Sequence, residues 1–364
     1  MKVEILIYAY LAICAAMILF NIVCIFVFRK KDKNIEKRSI NFADCVEEQL
    51  DKETVDEAHK KFLRKKLKKI QHMMAFDETL AKLYAERKDE VQKYIIDLSA
   101  VFVFLTFKYS DKDKIQAAYF PYIIKKYEVF KGSRISIVID SLLELVKEPN
   151  LYCRENALQA LYSIGDADSV VKALKLLDKK ESFHHTKMIT DGLLTFTGER
   201  ALLDKALWES FDAFSVTMKQ AVLDYFRFSC DAHTERMLHI MTDKDENQEL
   251  RFSAIRYFAK YYYEPALAYL YDLATQQSPV WEYKAIAATA LGNYPSPKTE
   301  DVLKELLCDR NWYVRYNASA SLEQFGVKYE DMIDVLEGND RYASEMLRYR
   351  FDRQKLKETG VATV

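Results

Sequence analysis

Glycine and proline are scarce. Eight Gly and six Pro in 364 residues leave few tight turns, which excludes a many-stranded sheet and favours long helices with short connections. An excess of either charge is missing too: 54 Lys and Arg stand against 55 Asp and Glu. No global field therefore draws the chain to nucleic acid. The six cysteines (Cys14, Cys24, Cys45, Cys153, Cys230 and Cys308) include no pair at metal-ligand spacing and form no local framework. They read as free thiols of a reducing compartment. The glycines are isolated, so no phosphate-cradling loop is present, and HExxH, CxxC and GxSxG do not occur. His184 and His185 are adjacent, hence on different faces of a helix or in a turn, and no ligand cluster surrounds them in sequence. Carboxylate pairs such as Glu47 and Glu48 lie in charged, solvated stretches. No catalytic residue, cofactor or metal is expected, and the chain is not expected to be an enzyme.

What is present begins at the amino terminus. Residues 5–28, ILIYAYLAICAAMILFNIVCIFVF, hold no charge. About 20 residues at a rise of 1.5 Å span the hydrocarbon of a bilayer, so this run can cross with some tilt. A cleaved signal peptide has an apolar region of about 7–15 residues and a small-residue cleavage site. Here the run is longer and ends in FVFRKKDK. Arg29, Lys30, Lys31 and Lys33 follow it, whereas the other flank offers only Lys2 against Glu4. The excess of cations places the following chain in the cytoplasm and the amino terminus outside.

Residues 29–76 read as a charged juxtamembrane helical segment. Within it, HKKFLRKKLKKIQHMM (59–74) carries Lys60, Lys61, Arg64, Lys65, Lys66, Lys68 and Lys69. Phe62, Leu63, Leu67, Ile70, Met73 and Met74 form an apolar stripe at helical spacing. One reading is a helix packed on the body with its lysines in water. The other lays Lys60, Lys61, Arg64, Lys65, Lys68 and Lys69 on anionic lipid, each cation contributing about 1 kcal/mol near the surface. Residues 77–108 read as helix, with IIDLSAVFVFLTF (95–107) too short for a second span and better buried. A helical pair, 112–130 and 134–147, follows, with Pro121 kinking or starting the helix it sits in. Residues 77–148 thus form an N-terminal helical cap of degenerate repeats.

From Leu151 a frame recurs. LYCRENALQALYSIG (151–165) and WYVRYNASASLEQFG (312–326) share Arg, then Asn two on, Ala three on, Leu seven on and Gly eleven on. The cation returns as Arg154, Lys187, Lys219, Arg251, Lys284 and Arg315, at intervals of 33, 32, 32, 33 and 31. Three on are Ala157, Thr190, Val222, Ala254, Ala287 and Ala318, small or β-branched. Seven on are Leu161, Leu194, Phe226, Phe258, Leu291 and Leu322, large and apolar. Eleven on are Gly165, Gly198, Cys230, Tyr262, Pro295 and Gly326, a position that decays in the middle copies. A second apolar-periodic segment follows the first in each unit, as in 169–180, 200–211, 264–276 and 299–309. Each unit is helix, turn, helix: the small residue lets a neighbouring helix approach and the large one fills the seam.

This frame resembles the HEAT family, specifically the HEAT-like repeats of the phycobilisome-lyase type, over residues 151 to about 337. The resemblance implies an all-α fold, an α-solenoid (a HEAT-like superhelix), here preceded by a single transmembrane helix. It also implies that Arg154, Arg251 and Arg315 are structural, bonding acidic or carbonyl groups within the array. Six HEAT-like repeats are expected over 149–337, then a charged capping helix and frayed tail over 338–364.

Function follows from placement. The expected role is a membrane-anchored cytoplasmic scaffold or regulatory subunit that binds a protein partner, a polytopic glycosyltransferase or transporter being a reasonable client. The candidate surface is the aromatic excess of 257–273 with Trp281: Tyr261, Tyr262, Tyr263, Tyr269 and Trp281. Three consecutive tyrosines cannot all face a core, and amphipathic rings suit an interface. The alternative is an enzyme on the same scaffold, of lyase or nucleic-acid-repair type, using the concave groove. Nucleic acid is not expected as a partner.

Overall fold

A computed structural model describes residues 2–110, 112–179, 184–276 and 280–358. The tail expected at 359–364 lies outside these, as does Lys180. The described chain contains twenty α-helices, three short 3-10 turns and no strand, as the scarcity of Gly and Pro implies.

The first helix, Lys2–Leu50, runs 49 residues without a break, roughly 70 Å at the usual rise. Its apolar part is long enough to cross a membrane and meets nothing inside the chain; Tyr8, Leu11, Ile18, Phe20 and Phe26 are all exposed. From Ile35 the same helix changes character. Ile35, Ser39, Phe42, Val46 and Leu50 are buried, a stripe at helical spacing that seats on the Ile70–Glu86 helix. Phe42 meets Phe76 edge-on at 5.7 Å, and the Thr79 hydroxyl donates to the Ser39 carbonyl at 2.9 Å. The boundary expected at residues 28 and 29 is therefore not a structural break, and the one at 76 and 77 falls inside a helix.

The helix expected over 59–74 is two helices. Glu57–Lys66 ends at Leu67, and Ile70–Glu86 begins after Lys69. The break lets Leu63, Leu67 and Met73 all be fully buried, which a straight helix pointing one stripe inward would not require. The stretch 77–108 likewise divides, into the end of Ile70–Glu86, Lys88–Asp97 and Ser99–Ser110. Ser99–Ser110 buries Val101, Phe102 and Leu105, but Phe107 is half-exposed. The next pair, Lys114–Lys126 and Ser136–Val146, matches the sequence reading, with Pro121 buried inside the first.

The chain divides into two compact units, Met1–Ser182 with Thr195–Leu203, and Phe183–Leu194 with Asp204–Val364. In the first, the helix Leu151–Ile164 packs on Lys114–Lys126 and Ser136–Val146. A buried carboxylate ties Ile70–Glu86 to Lys114–Lys126: Asp77 accepts from Lys126 at 2.6 Å, from Tyr127 at 2.6 Å and from Tyr119 at 2.7 Å. In the second unit, helices Thr186–Leu194, Val216–Ser229, Gln248–Phe258, Trp281–Leu291, Trp312–Phe325 and Arg341–Glu358 pack each on the next. Thr234–Thr242, Leu267–Thr275 and Pro297–Leu307 cover the helix that follows each of them.

The frame explains this stacking. Five of its six cations sit at the fourth residue of a helix, and in four copies the residue just before the helix caps it. Asn150, Ser215, Asn247 and Asn311 each accept from a backbone N–H of the first turn. A helical side chain leans toward its own N-terminus, so the arginines of the frame reach back to carbonyls in, or just before, the connection from the preceding helix. Arg154 donates to the carbonyls of Glu148 (3.1 Å) and Pro149 (2.7 Å), Arg251 to that of Met241 (3.1 Å), and Arg315 to that of Asp309. All six small or β-branched residues three on are buried. Five of the six large ones seven on are fully buried; Leu194 is half-exposed, and Leu193 takes the core position instead. That copy's helix starts one residue before its cation, not three, so its register is shifted.

Candidate binding surface

The five aromatic residues singled out from sequence do not form one surface. Tyr261, Tyr262 and Tyr263 lie in the turn after Gln248–Phe258, not on a helix. Tyr261 packs on Tyr257 with ring centroids 4.8 Å apart, and Tyr263 stacks over Phe258 at 6.3 Å. The Tyr263 amide donates to the Tyr294 hydroxyl at 3.1 Å; burial pushes that hydroxyl up to about 12. Tyr262 is exposed but leans on Tyr294 at 4.9 Å. Tyr269 is exposed on the Leu267–Thr275 helix. These rings mainly fasten a turn, because turn geometry and not helical periodicity decides where they point.

Trp281 belongs elsewhere. It stacks on Tyr313 at 5.2 Å with planes 16° apart. Tyr313 meets Trp312 edge-on at 5.2 Å, and Trp312 stacks on Tyr316 at 4.9 Å. The Arg350 guanidinium closes the series, 4.3 Å from the Tyr316 ring centre. Four rings on two neighbouring helices, Trp281–Leu291 and Trp312–Phe325, and a cation from a third, Arg341–Glu358, thus form one series. Trp312 and Tyr313 each keep more than half of their surface in water.

Beside this ladder lies a cleft of about 820 Å³, lined by Arg310, Trp312, Arg315, Tyr316, Tyr342, Glu345, Met346 and Tyr349. Its far wall is the Arg341–Glu358 helix. Tyr342, Met346 and Tyr349 follow one another by four and three residues, so they share a face, and Tyr342 and Tyr349 are 70% and 56% exposed. The floor is fixed by charge. Arg315 donates to the Asp340 carboxylate at 2.8 Å, and Asp340 also caps the next helix by accepting from the amides of Tyr342 and Ala343, both at 3.0 Å. Those bonds, Arg315's first, hold the Asp340 carboxyl below its ordinary value. Arg350 is pinned by Glu323 at 3.1 Å and by the Ser319 hydroxyl at 3.1 Å. An exposed set of Trp, Tyr, Met and Arg on rigid helices is the composition of a protein interface, and contiguous apolar area of this kind is unusual on a surface with no partner. The sequence signal was available in the WY pair that opens the last repeat helix and in the 342, 346, 349 spacing. It was passed over because 338–364 read as a charged cap.

The cations proposed for lipid contact split between two settings. Lys61, Lys65 and Lys69 are exposed. Lys60 pairs with Glu57 at 3.1 Å, Lys68 lies 5.3 Å from the Phe104 ring centre, and Arg64 is half-buried.

The family model for HEAT repeats matches residues 274–345, which hold the last two copies of the frame and most of the aromatic surface. No curated protein matches the sequence. Among solved structures the chain is similar to human deoxyhypusine hydroxylase in complex with glycerol, at 14% identity over 82% of this chain and 96% of that one, with a TM-score of 0.29. It is also similar to an engineered protein, at 13% identity over 88% and 98%, with a TM-score of 0.34. At that distance neither bears on function.

Proposed function

We propose that this chain is a membrane-anchored helical-repeat scaffold that binds a protein partner through the aromatic ladder and the cleft beside it. The observation that carries the reading is the run of Trp281, Tyr313, Trp312 and Tyr316, continued by Tyr342 and Tyr349 on the next helix. Rings held by packing lose little entropy when covered, so their burial is returned as affinity. The role is binding and not catalysis, and the partner sits at the same membrane, a polytopic enzyme or transporter being the natural client. The unbroken helix Lys2–Leu50 supports the tether: its apolar part has no internal partner and its other end is packed into the body. The repeats then face the cytoplasm, on the side of the Arg29 to Lys33 cations, with Lys61, Lys65 and Lys69 available to anionic lipid.

The test is co-purification from detergent-solubilised membranes. Trp312→Ala with Tyr349→Ala should lose the partner, while Tyr262→Ala with Tyr269→Ala should keep it; the reverse pattern moves the site back to the turn. Removing residues 2–28 from the Trp312→Ala, Tyr349→Ala variant, which no longer holds the partner, should release the body into the soluble fraction, and a body that still stays on membranes in high salt refutes the single tether.

A further inference from the structure

A second cluster in the chain has nothing to do with the aromatic surface. Asp204, Cys230 and His233 come from three places: the helix Arg200–Ser210, the residue closing Val216–Ser229, and the residue opening Thr234–Thr242. His233 Nε2 lies 3.2 Å from Asp204 Oδ2 and 3.5 Å from Cys230 Sγ, and the sulfur is 4.0 Å from the same carboxylate oxygen. A tetrahedral zinc with its usual bond lengths needs ligand atoms about 3.3–3.6 Å apart, so both distances from His233 fit closely and the Cys230–Asp204 distance must shorten by about 0.5 Å on binding. The side chains of His233 and Asp204 are 9% and 14% exposed, so the group is largely out of water yet reachable.

The surroundings hold these three in place. The Tyr257 hydroxyl accepts from the His233 amide at 3.1 Å and donates to the Cys230 carbonyl at 3.0 Å, which locks the Cys-x-x-His turn. The Tyr225 hydroxyl donates to the other Asp204 oxygen at 2.8 Å. Such outer contacts orient ligands at metal sites. The arrangement does not suit a nucleophilic triad: there the base offers one ring nitrogen to the thiol and the other to the acid, whereas here both face Nε2.

We propose that Asp204, Cys230 and His233 bind one zinc-class divalent cation, with the fourth position open to solvent or to a ligand. Thiolate, imidazole and carboxylate together select such a cation over calcium or magnesium. The site has a built-in brake. The Trp208 indole N–H donates to His233 Nδ1 at 3.3 Å, so in the metal-free chain the ring proton is on Nε2, facing Asp204. On binding, the Cys230 thiol gives its proton to solvent and the ring proton moves to Nδ1. Nδ1 then becomes a donor, and the Trp208 bond is lost.

The experiment uses the full chain in detergent micelles, stripped by chelator and titrated with Co²⁺ alone and then Zn²⁺. One equivalent of Co²⁺ should give a thiolate charge-transfer band that Zn²⁺ erases. Cys230→Ser should abolish the band and weaken Zn²⁺ more than about tenfold. Should that variant misfold, Asp204→Asn, which keeps the shape and the Tyr225 contact, decides in its place. Trp208→Phe keeps the ring stacked on Phe226 and should tighten Zn²⁺ about fivefold, the worth of one neutral hydrogen bond. Thiols and imidazoles elsewhere in the chain can also take metal, so a band that survives both ligand variants overturns the proposal. So does the absence of stoichiometric binding, and a Trp208→Phe variant that binds no tighter removes the brake.

Discussion

Residues 151–165 and 312–326 are the same device used twice, and the difference lies in what each one faces. Both form a 14-residue helix capped by Asn and closed by a glycine in the left-handed region, Gly165 at φ 80° and Gly326 at φ 71°. Both put their Asn across to the preceding first helix: Asn156 donates to the Ala118 carbonyl at 2.9 Å, and Asn317 to that of Ala285 at 2.8 Å. Both expose their first two side chains, Leu151 with Tyr152 and Trp312 with Tyr313. Yet the earlier copy ends in a crowded contact and the later one in open space. A Cβ on Gly165 would lie 2.8 Å from the Gly198 amide nitrogen, and one on Gly198 would strike the Gly165 carbonyl; Gly326 has nothing within 4 Å. The repeat fixes backbone and cap, and the site fixes the surface. The proposed binding role falls to the copy whose outward residues are Trp312 and Tyr313.

The glycines give the largest way to break this comparison. Gly165→Ala meets both the left-handed penalty, about 1–2 kcal/mol, and a backbone collision that cannot be relieved by a rotamer. It should cost more than about 3 kcal/mol in urea unfolding of the body. Gly326→Ala meets the first term alone and should cost about 1–2 kcal/mol. Equal losses would mean that the Gly165–Gly198 contact is not a constraint. Next come the asparagines. Asn156→Ala and Asn317→Ala each remove one hydrogen bond that joins neighbouring repeats, and each should cost about 1 kcal/mol. If only one does, the frame is not a shared clamp.

Much of this was legible in the sequence because it depends on spacing along one helix. The cation at the fourth position, the buried residue three on and the buried residue seven on all follow from periodicity, and the Leu194 exception follows from a shifted start. What periodicity could not deliver is contact between helices. The cleft needs Trp312 and Tyr342 to face each other, and Asp204 joins Cys230 and His233 only after two turns have closed. The break at Leu67–Lys69 was hidden because a continuous apolar stripe fits one helix or two. One longer-range rule was readable and missed: Lys284 pairs with Asp309 at 3.1 Å and Arg315 with Asp340 at 2.8 Å, each acid 25 residues after its cation. At that distance Arg154 is followed by Lys179 and Arg251 by Gln276, so the 25-residue pairing belongs to the last two copies.

That asymmetry yields the smallest effect and the sharpest contrast. Asp340 is partly exposed and its pairing with Arg315 is screened, so the charge contributes at most about 0.5 kcal/mol. Arg315 holds the folded carboxyl below the unfolded value near 3.8. The contribution is therefore complete above that value and is lost as pH falls through the depressed one. Asp340→Asn removes the charge and keeps a good helix cap, so it isolates the pair from the Tyr342 and Ala343 bonds. Urea midpoints of the native chain and the Asp340→Asn variant should differ by a constant small amount from neutral pH to about pH 4 and converge below it. A gap that reverses sign as acid is added, the protonated carboxyl capping less well than the Asn amide, would show that Asp340 acts through its cap and not through Arg315, and that the cleft floor is set by the helix end and not by the ion pair.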